Sequence, residues 1–423
     1  MVGVSIHVMI CIKVKRAWVL FLCYNLCIME EKMINSKYQK IYEDFLKNYE
    51  QLHVNPWHEI DEKELEKIAN DLLQRYEVTG EYSFCYFMNY ILKRLSGKSD
   101  AHTIYKPNAP IPMNFKIFGE DVLVNYPSDL RGSKLVSINN VDIQQILKEL
   151  DEILTYGTFG KKRIEMERAL FSRCLVGGLP SLKESKELTF QILTRDNKLV
   201  TKVYEAQKDY KDEMFDYEKY LFGDKNATFE IKNNYLIYYH SSCQPYYKEK
   251  IKEAVASLYQ IDLADIDTII IDLRGNTGGN SALNDDLMVF LKQSHKNLIC
   301  LTDYRIFSAG RFALRDIINL GATTIGEEIS TPINCYGNSS KVDIDGHKFS
   351  ISTRYFHPFL GISIRSKEEY KKLVTPDVLK PVYFKPDIEV NEKEEDYLMG
   401  EDTILNYAFM YIEQKRKEEM MKR

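Results

Sequence analysis

Thr268 to Ile271 is an unbroken run of β-branched residues, the pattern of a strand buried on both faces within a largely parallel sheet. The run stops at Asp272 and passes into a turn carrying Gly275, Gly278 and Gly279, where missing side chains let another backbone or a ligand come close. Before it, Tyr235 to Tyr239 reads as a strand, and Ile251, Ala254, Val255, Leu258 and Tyr259 recur at helical spacing. Together these predict a βαβ unit that delivers the glycine turn to the carboxyl edge of a sheet, where open α/β sheets bind ligands. Beyond it, Leu298 to Leu301 is a further strand, and Phe312, Ala313, Ile317, Ile318 and Leu320 mark one face of a helix.

The first third of the chain follows a different period. Tyr42, Phe45, Leu46 and Tyr49, then Leu65, Ile68, Ala69, Leu72 and Leu73, predict helices between Tyr38 and Leu95, and the aromatic stripe from Tyr82 to Tyr90 reads as core. After Pro107, Pro110 and Pro112 the pattern shortens to strands at Phe115 to Tyr126 and Leu135 to Ile138, with a helix from Gln144 to Leu154. Leu188 to Tyr204 reads as a hairpin turning at Arg195, Asp196 and Asn197. The charged stretch Glu205 to Lys219 reads as a solvated connection, and the tail from Asn406 as a helix ending in the charged run Lys415 to Arg423. These changes divide the chain into an apolar extension at 1–34, a helical region at 35–105, a β-rich middle region at 106–215 and an α/β core at 216–423.

At 423 residues the chain is too long for one ordinary domain, and 44% hydrophobic content with 12% aromatics gives ample core material. A net charge of −5 argues against a nucleic-acid partner, which calls for a basic patch. Eight scattered cysteines without a C-x-x-C pair indicate neither a zinc site nor a redox motif, and they suit a reducing, cytoplasmic compartment. The first residues complicate this, because Lys13, Lys15 and Arg16 precede an apolar run from Ala17 to Met29. That run fits an export signal, an interfacial anchor, or an extension upstream of a start at Met29 or Met33. The third reading is preferred, since Glu30, Glu31 and Lys32 open an ordinary soluble helical pattern.

The glycine turn has no Lys-Ser/Thr after it and no G-x-G-x-x-G, so the nucleotide signatures fail. Exposed amides at such a turn can instead hold a developing oxyanion, and a nucleophile should then lie nearby. Ser308 stands at the next strand-to-helix junction, where its plainer role is to cap the helix. Cys243 has nothing basic placed for it in sequence. The histidines form no ligand-spaced cluster, with His53 and His58 flanking Pro56 and Trp57, His240 after a strand, and His295, His347 and His357 apart. No metal is inferred.

Three motifs in order carry a resemblance: Ile-Asp-Leu-Arg-Gly-Asn-Thr-Gly-Gly-Asn at 271–280, Phe-Ser-Ala-Gly-Arg-Phe-Ala at 307–313 and Gly-Ala-Thr-Thr-Ile-Gly-Glu at 321–327. Asn-Cys-Tyr-Gly at 334–337, Ile-Ser-Thr-Arg-Tyr-Phe at 351–356, Lys-Pro-Asp-Ile at 385–388 and Gly-Glu-Asp at 400–402 extend it. The C-terminal half thereby resembles the C-terminal processing and tricorn-type serine peptidases, the tail-specific protease family, in a bacterial branch. The resemblance implies a crotonase-like α/β core and makes Ser308 the nucleophile. Relatives activate this serine with a following lysine or a preceding histidine, and no lysine occurs from Ala309 to Ser340. Asp100-Ala101-His102-Thr103 resembles the Asp-x-His-Thr element of the histidine-using branch, which makes His102 the general base.

Tricorn-like relatives have a serine where Ala101 stands and a glutamate after the core. Glu328 is the weak candidate for that carboxylate, Glu327 is an alternative tied to the Gly-Glu turn, and Asp100 could instead cap the turn presenting His102. Val136 to Ile143 with the following helix resembles the carboxylate-binding half of a PDZ-type module, though without its glycine loop. The expected activity is peptide hydrolysis through an acyl-enzyme, with Gly278, Gly279 and Ala309 supplying oxyanion-hole amides. The expected substrate is a peptide or unfolded protein; no cofactor or nucleic acid is called for, and a homo-oligomer stays open. The alternative is a non-catalytic binding protein on the same core, and the alternative location is export or membrane anchoring through residues 13–29.

Overall fold

The computed structural model describes residues 34–105, 110–182, 184–205 and 225–422. The apolar run before Met33, the proline-rich step at Pro107 and the charged connection after Glu205 lie outside the described residues. Helix α1 (Ser36–Leu52) starts where the Asn35 side chain accepts from the Lys37 N–H, and it buries Ile41, Phe45 and Tyr49 on one stripe. Helix α2 (Glu62–Leu73) starts on Asp61, whose carboxylate accepts from Glu64 N–H, with Glu62 and Glu64 favourably placed in its first turn. Helix α3 (Glu81–Ser96) buries Phe84 to Met88, Ile91, Leu92 and Leu95, so the aromatic stripe is core.

Strand β1 (Ile104–Tyr105) follows, then a mainly antiparallel group: β2 (Asn114–Phe118), β3 (Asp121–Tyr126), β4 (Lys134–Ile138), β5 (Val141–Asp142), β6 (Glu187–Leu193) and β7 (Leu199–Glu205). The sheet order is β2-β3-β4-β6-β7, with β5 against β4, and helices α4 (Ile143–Ile153) and α5 (Phe159–Leu170) lie between β5 and β6 in sequence. Asn197 takes a φ of +60° in the β6–β7 turn, as an Asn-bearing hairpin turn allows. Helices α1 to α3 and this sheet share one apolar core running from Ile34 to Tyr204, which Phe349 and Ile351 complete from far along the chain.

The second half is built on another sheet, comprising β8 (Thr228–Lys232), β9 (Tyr235–Tyr239), β10 (Thr268–Asp272), β11 (Asn297–Thr302), β12 (Thr323–Gly326) and β16 (Ile388–Glu389). Its order is β16-β12-β11-β10-β9-β8, and all pairs are parallel except β8 with β9. Helices α6 (Lys248–Leu258), α7 (Asp285–Ser294) and α8 (Ala309–Asn319) cross over between the strands, and α9 (Thr403–Lys422) closes the chain. Every residue of β10 is buried. The strand's period of two explains why: Ile269 and Ile271 face the core holding Leu258, Leu287 and Leu314, while Ile270 faces the one holding Ile404, Ala408 and Ile412. Ile270→Ala is therefore expected to lower the unfolding free energy by about 2–5 kcal/mol in a urea titration; a loss under about 1 kcal/mol would contradict this packing.

A long hairpin, β13 (Cys335–Ile344) and β14 (His347–His357), joins the halves. It turns at Asp345 and Gly346, both at positive φ, and β14 pairs with β1 on one side and with β15 (Ile362–Ile364) further along. The architecture is mixed α/β with several sheets. Among the described residues no helix is long and apolar enough to cross a membrane.

Candidate active site

The glycine turn after β10 lies directly against the start of α8. Phe307 N–H donates to Asn276 O at 2.9 Å, and Gly278 N–H donates to Asn276 Oδ1 at 2.9 Å. A Cβ on Gly278, which has φ +99°, would stand 2.6 Å from Ala309 N and 2.7 Å from Ser308 Cβ. Gly279 is as confined, since its Cβ would meet Cys243 O at 2.1 Å. Only glycine lets the two turns approach this closely.

Ser308 takes φ +49° and ψ −118°, a conformation that costs a non-glycine residue about 1–3 kcal/mol. It occupies the N-cap position of α8, but its side chain accepts no cap hydrogen bond. The capping role is thus not the one it performs. Ser308 is half-buried and its hydroxyl has no hydrogen bond among the described residues. The turn is held instead by Arg311, whose Nε donates to Ser308 O at 3.3 Å and whose Nη1 donates to Pro332 O and Ile333 O at 3.0 and 2.7 Å. Gly278 N–H is engaged by Asn276, whereas the N–H groups of Gly279 and Ala309 donate to nothing among the described residues.

His102 is presented by a turn just after α3. Asp100 Oδ1 accepts from His102 N–H and Thr103 N–H, each at 3.1 Å, and from Ser352 Oγ at 2.5 Å. The Asp100 side chain therefore caps this turn. The imidazole stacks on Phe307, centroids 4.3 Å apart and planes 25° apart, and Gly337 makes room for it, a Cβ there coming within 3.2 Å of His102 Cε1. His102 is thus stacked on the residue that precedes Ser308, without a hydrogen bond to Ser308 among the described residues. Both ring nitrogens are enclosed without a bonded partner. Burial, then the Arg311 guanidinium, pushes the His102 pKa down to about 3, so the ring is neutral, as a base must be.

The carboxylates expected near His102 lie elsewhere. Glu327 Oε1 accepts from Glu392 N–H at 3.2 Å and stands 3.5 Å from Arg163. Glu328 is raised by burial, with Lys385 and Glu389 as its charged neighbours. Two further groups are close. Lys161 of α5 lies 4.5 Å from the Phe307 ring centroid and pairs with Glu165 at 2.7 Å. Asp100 Oδ2 faces His53 Nε2 at 3.2 Å, both side chains fully buried. Asp100 is the turn cap that the sequence offers, whereas His53 shows there only as a histidine in a Pro-Trp loop and Lys161 carries no signal.

Cys243 does have a basic neighbour: His240 Nε2 is 3.5 Å from its sulfur, and Asn284 Oδ1 is 3.2 Å away. Burial pushes this thiol up to about 11, leaving an inert thiol behind the glycine turn. Among the described residues no group of His, Cys, Asp or Glu is arranged to hold a metal ion.

Buried histidines make the fold acid-sensitive, and besides His102 and His240 burial lowers His58 to about 4 and lowers His347. Below about pH 6.5 the unfolded chain takes up protons on His102 and His240, while burial lowers both in the fold, His102 to about 3. Stability is full above about pH 6.5 and lost as pH falls toward the folded-state values. Between about pH 8 and about pH 5, His102 alone should remove about 2 kcal/mol from the unfolding free energy, and His240 adds in the same sense. Urea midpoints at the two pH values measure this; equal midpoints would contradict it.

No protein-family model matches the chain, and no curated protein matches it either. Among solved structures, the architecture is similar to that of mature CPAF, which fits the tail-specific protease resemblance. Mature CPAF complexed with lactacystin overlaps with a TM-score of 0.55 at 12% identity, over 85% of this chain and 94% of that one. Mature CPAF by itself overlaps with a TM-score of 0.53 at 12% identity, over 85% and 93%. A weaker overlap, TM-score 0.38 at 12% identity over 84% and 94%, is with the photosystem II D1 C-terminal processing protease. At these identities the likeness is one of fold.

Proposed function

We propose that this chain is a serine-type peptidase that hydrolyses peptide bonds through an acyl-enzyme on Ser308, with His102 as general base. The observation that carries the reading is Ser308 itself: half-buried, at φ +49°, free of the helix cap and set against the glycine turn. A serine hydroxyl needs a base to become nucleophilic, and His102, neutral and one ring away, is the base available. For proton transfer the imidazole slides off Phe307 toward the Ser308 hydroxyl. Ser308 Oγ then attacks the scissile carbonyl, and the unengaged N–H groups of Gly279 and Ala309 receive the oxyanion, Gly278 serving to bring them together. His102 returns its proton to the leaving amine. No cofactor enters the scheme.

The substrate is a peptide or unfolded protein. The parallel sheet is read as a crotonase-like core and the antiparallel sheet with α4 as a PDZ-like region. The proposed location is the cytoplasm, with export through residues 13–29 as the alternative. The test is a mass-spectrometric digest of a mixed unstructured peptide library by the wild type and by Ser308→Ala, backed by labelling with a serine-reactive phosphonate. Cleavage and labelling by the wild type alone support the reading; silence in both sinks it.

A second reading, a ligand- or peptide-binding protein on the same fold, is favoured by one observation: His102 lies flat on Phe307, bonded to neither Ser308 nor a carboxylate. Under that reading Ser308→Ala leaves ligand binding unchanged.

A further inference from the structure

The base has no carboxylate on its ring, yet a buried one lies two residues away. Asp100 is fully enclosed, and its two oxygens are used differently. Oδ1 collects His102 N–H, Thr103 N–H and the Ser352 hydroxyl, while Oδ2 faces only His53 Nε2, at 3.2 Å. The contact is an ion-pair approach and not a hydrogen bond, and neither Oδ2 nor Nε2 has a hydrogen bond among the described residues. His53 Nδ1 accepts the Asn55 N–H at 3.1 Å, so Nε2 carries a proton and stands beside the carboxylate. The imidazole is wedged among Tyr49, His58 and Tyr336, with centroids 5.0, 5.2 and 4.7 Å away. Tyr336 in turn donates its N–H to Ser99 O and precedes Gly337, which cups the His102 ring.

We infer that His53 and Asp100 form a buried pair that stands in for the missing third catalytic member, His53 being a positioning residue that fixes the Asp100 carboxylate behind His102. The inference rests on the peptidase reading. The pair acts on His102 in two ways. It locks the turn, so the imidazole swings from one fixed anchor between Phe307 and Ser308. It also places a negative charge close to a ring that becomes cationic during turnover, in surroundings where the other charges facing that ring, Arg311 from α8 and Lys161 from α5, are positive. Burial works against the Asp100 carboxylate, but the His53 contact and the Ser352 and Thr103 donors outweigh it and hold its carboxyl below the usual range. It is therefore charged wherever the enzyme works.

The test compares wild type, His53→Gln, His53→Phe and Asp100→Asn on a peptide that the wild type cleaves, with kcat and KM measured from about pH 3 to 9, a span that reaches the depressed value of His102. Gln can return an N–H to Asp100, whereas Phe keeps the ring packing and loses the donor. His53→Phe and Asp100→Asn should lower kcat roughly 10- to 100-fold with KM within about twofold, the usual loss when an orienting partner is removed. Asp100→Asn should also move the acid limb of the profile to lower pH, because His102 loses its counter-charge, and His53→Gln should recover most of kcat. A folded His53→Phe with wild-type kcat and profile overturns the inference, as does a His53→Gln that loses as much as His53→Phe. Should His53→Phe fail to fold, Ser352→Ala decides: a several-fold fall in kcat at unchanged KM supports the pair, and wild-type kcat overturns it. Wild type inert to both peptides and phosphonate would be a failure of the peptidase reading instead.

Discussion

Replacing Ser308 by alanine is expected to abolish peptide turnover, on the order of 10⁶-fold in kcat where nucleophile and base act as a unit, while the folded state persists. Ser308→Gly should lose turnover equally, yet be the more stable of the two. Alanine retains the strain of φ +49° and ψ −118°, whereas glycine adopts such angles freely. The relief of about 1–3 kcal/mol is partly offset by glycine's larger unfolded-state entropy, leaving a gain of roughly 1 kcal/mol over alanine. Thermal and urea midpoints of the two variants measure the difference directly. A glycine variant less stable than the alanine one would mean that the turn stores no strain.

Gly278→Ala should damage stability and turnover together. The added Cβ meets Ala309 N at 2.6 Å and Ser308 Cβ at 2.7 Å, and these belong to the nucleophile turn, not to a flexible side chain that can swing away. Left-handed strain of about 1–3 kcal/mol adds to overlap of about 1–3 kcal/mol. Stability should therefore fall by about 2–6 kcal/mol. Turnover should fall by at least about 10²-fold, as expected when an oxyanion donor is displaced. Gly346→Ala is the matched control. It has φ +84° at the tip of the β13–β14 hairpin, with nothing within 4 Å of an added methyl, so it should show strain alone and keep full kcat. Equal damage from both substitutions would mean that close approach at Gly278 is not what matters.

The elements that the sequence announces most clearly are those whose burial pattern is uniform. β10 is hydrophobic on both faces because both are covered, and α1 and α2 show clean stripes because one face of each meets a core. Helix α5 is not legible in this way. It opens with Phe159 and Gly160 and runs through Lys161, Lys162 and Arg163, which pair with Glu165, Asp151 and Glu167 respectively, so polarity there does not mark a solvated face. The β13–β14 hairpin hides its strands behind Asn338, Ser339, Ser340 and Lys341, although Asp345-Gly346 is the turn pair that such hairpins prefer.

At the site, Ser308, His102 and the glycines are readable from motif order. What packs against them is not. The stacking of His102 on Phe307 and the placing of His53 against Asp100 depend on contacts that link distant stretches of the chain, as the Ser352 hydroxyl on Asp100 does, whereas the Asp100 cap on the turn is local and the sequence offers it. A histidine in a Pro-Trp loop looks solvated until α1 and β13 enclose it.

The shared core of the first half has a consequence for the order in which the protein comes off the ribosome. The helices that hold the His102 turn belong to a core that Phe349 and Ile351 complete, and both are translated well after Ser308. A nascent chain that already carries the nucleophile therefore still lacks the strand that closes the pocket of its base, including Ser352 on Asp100 and Gly337 against the imidazole. On the peptidase reading, hydrolytic competence would arrive only with the hairpin, and a half-made chain is expected to be inert.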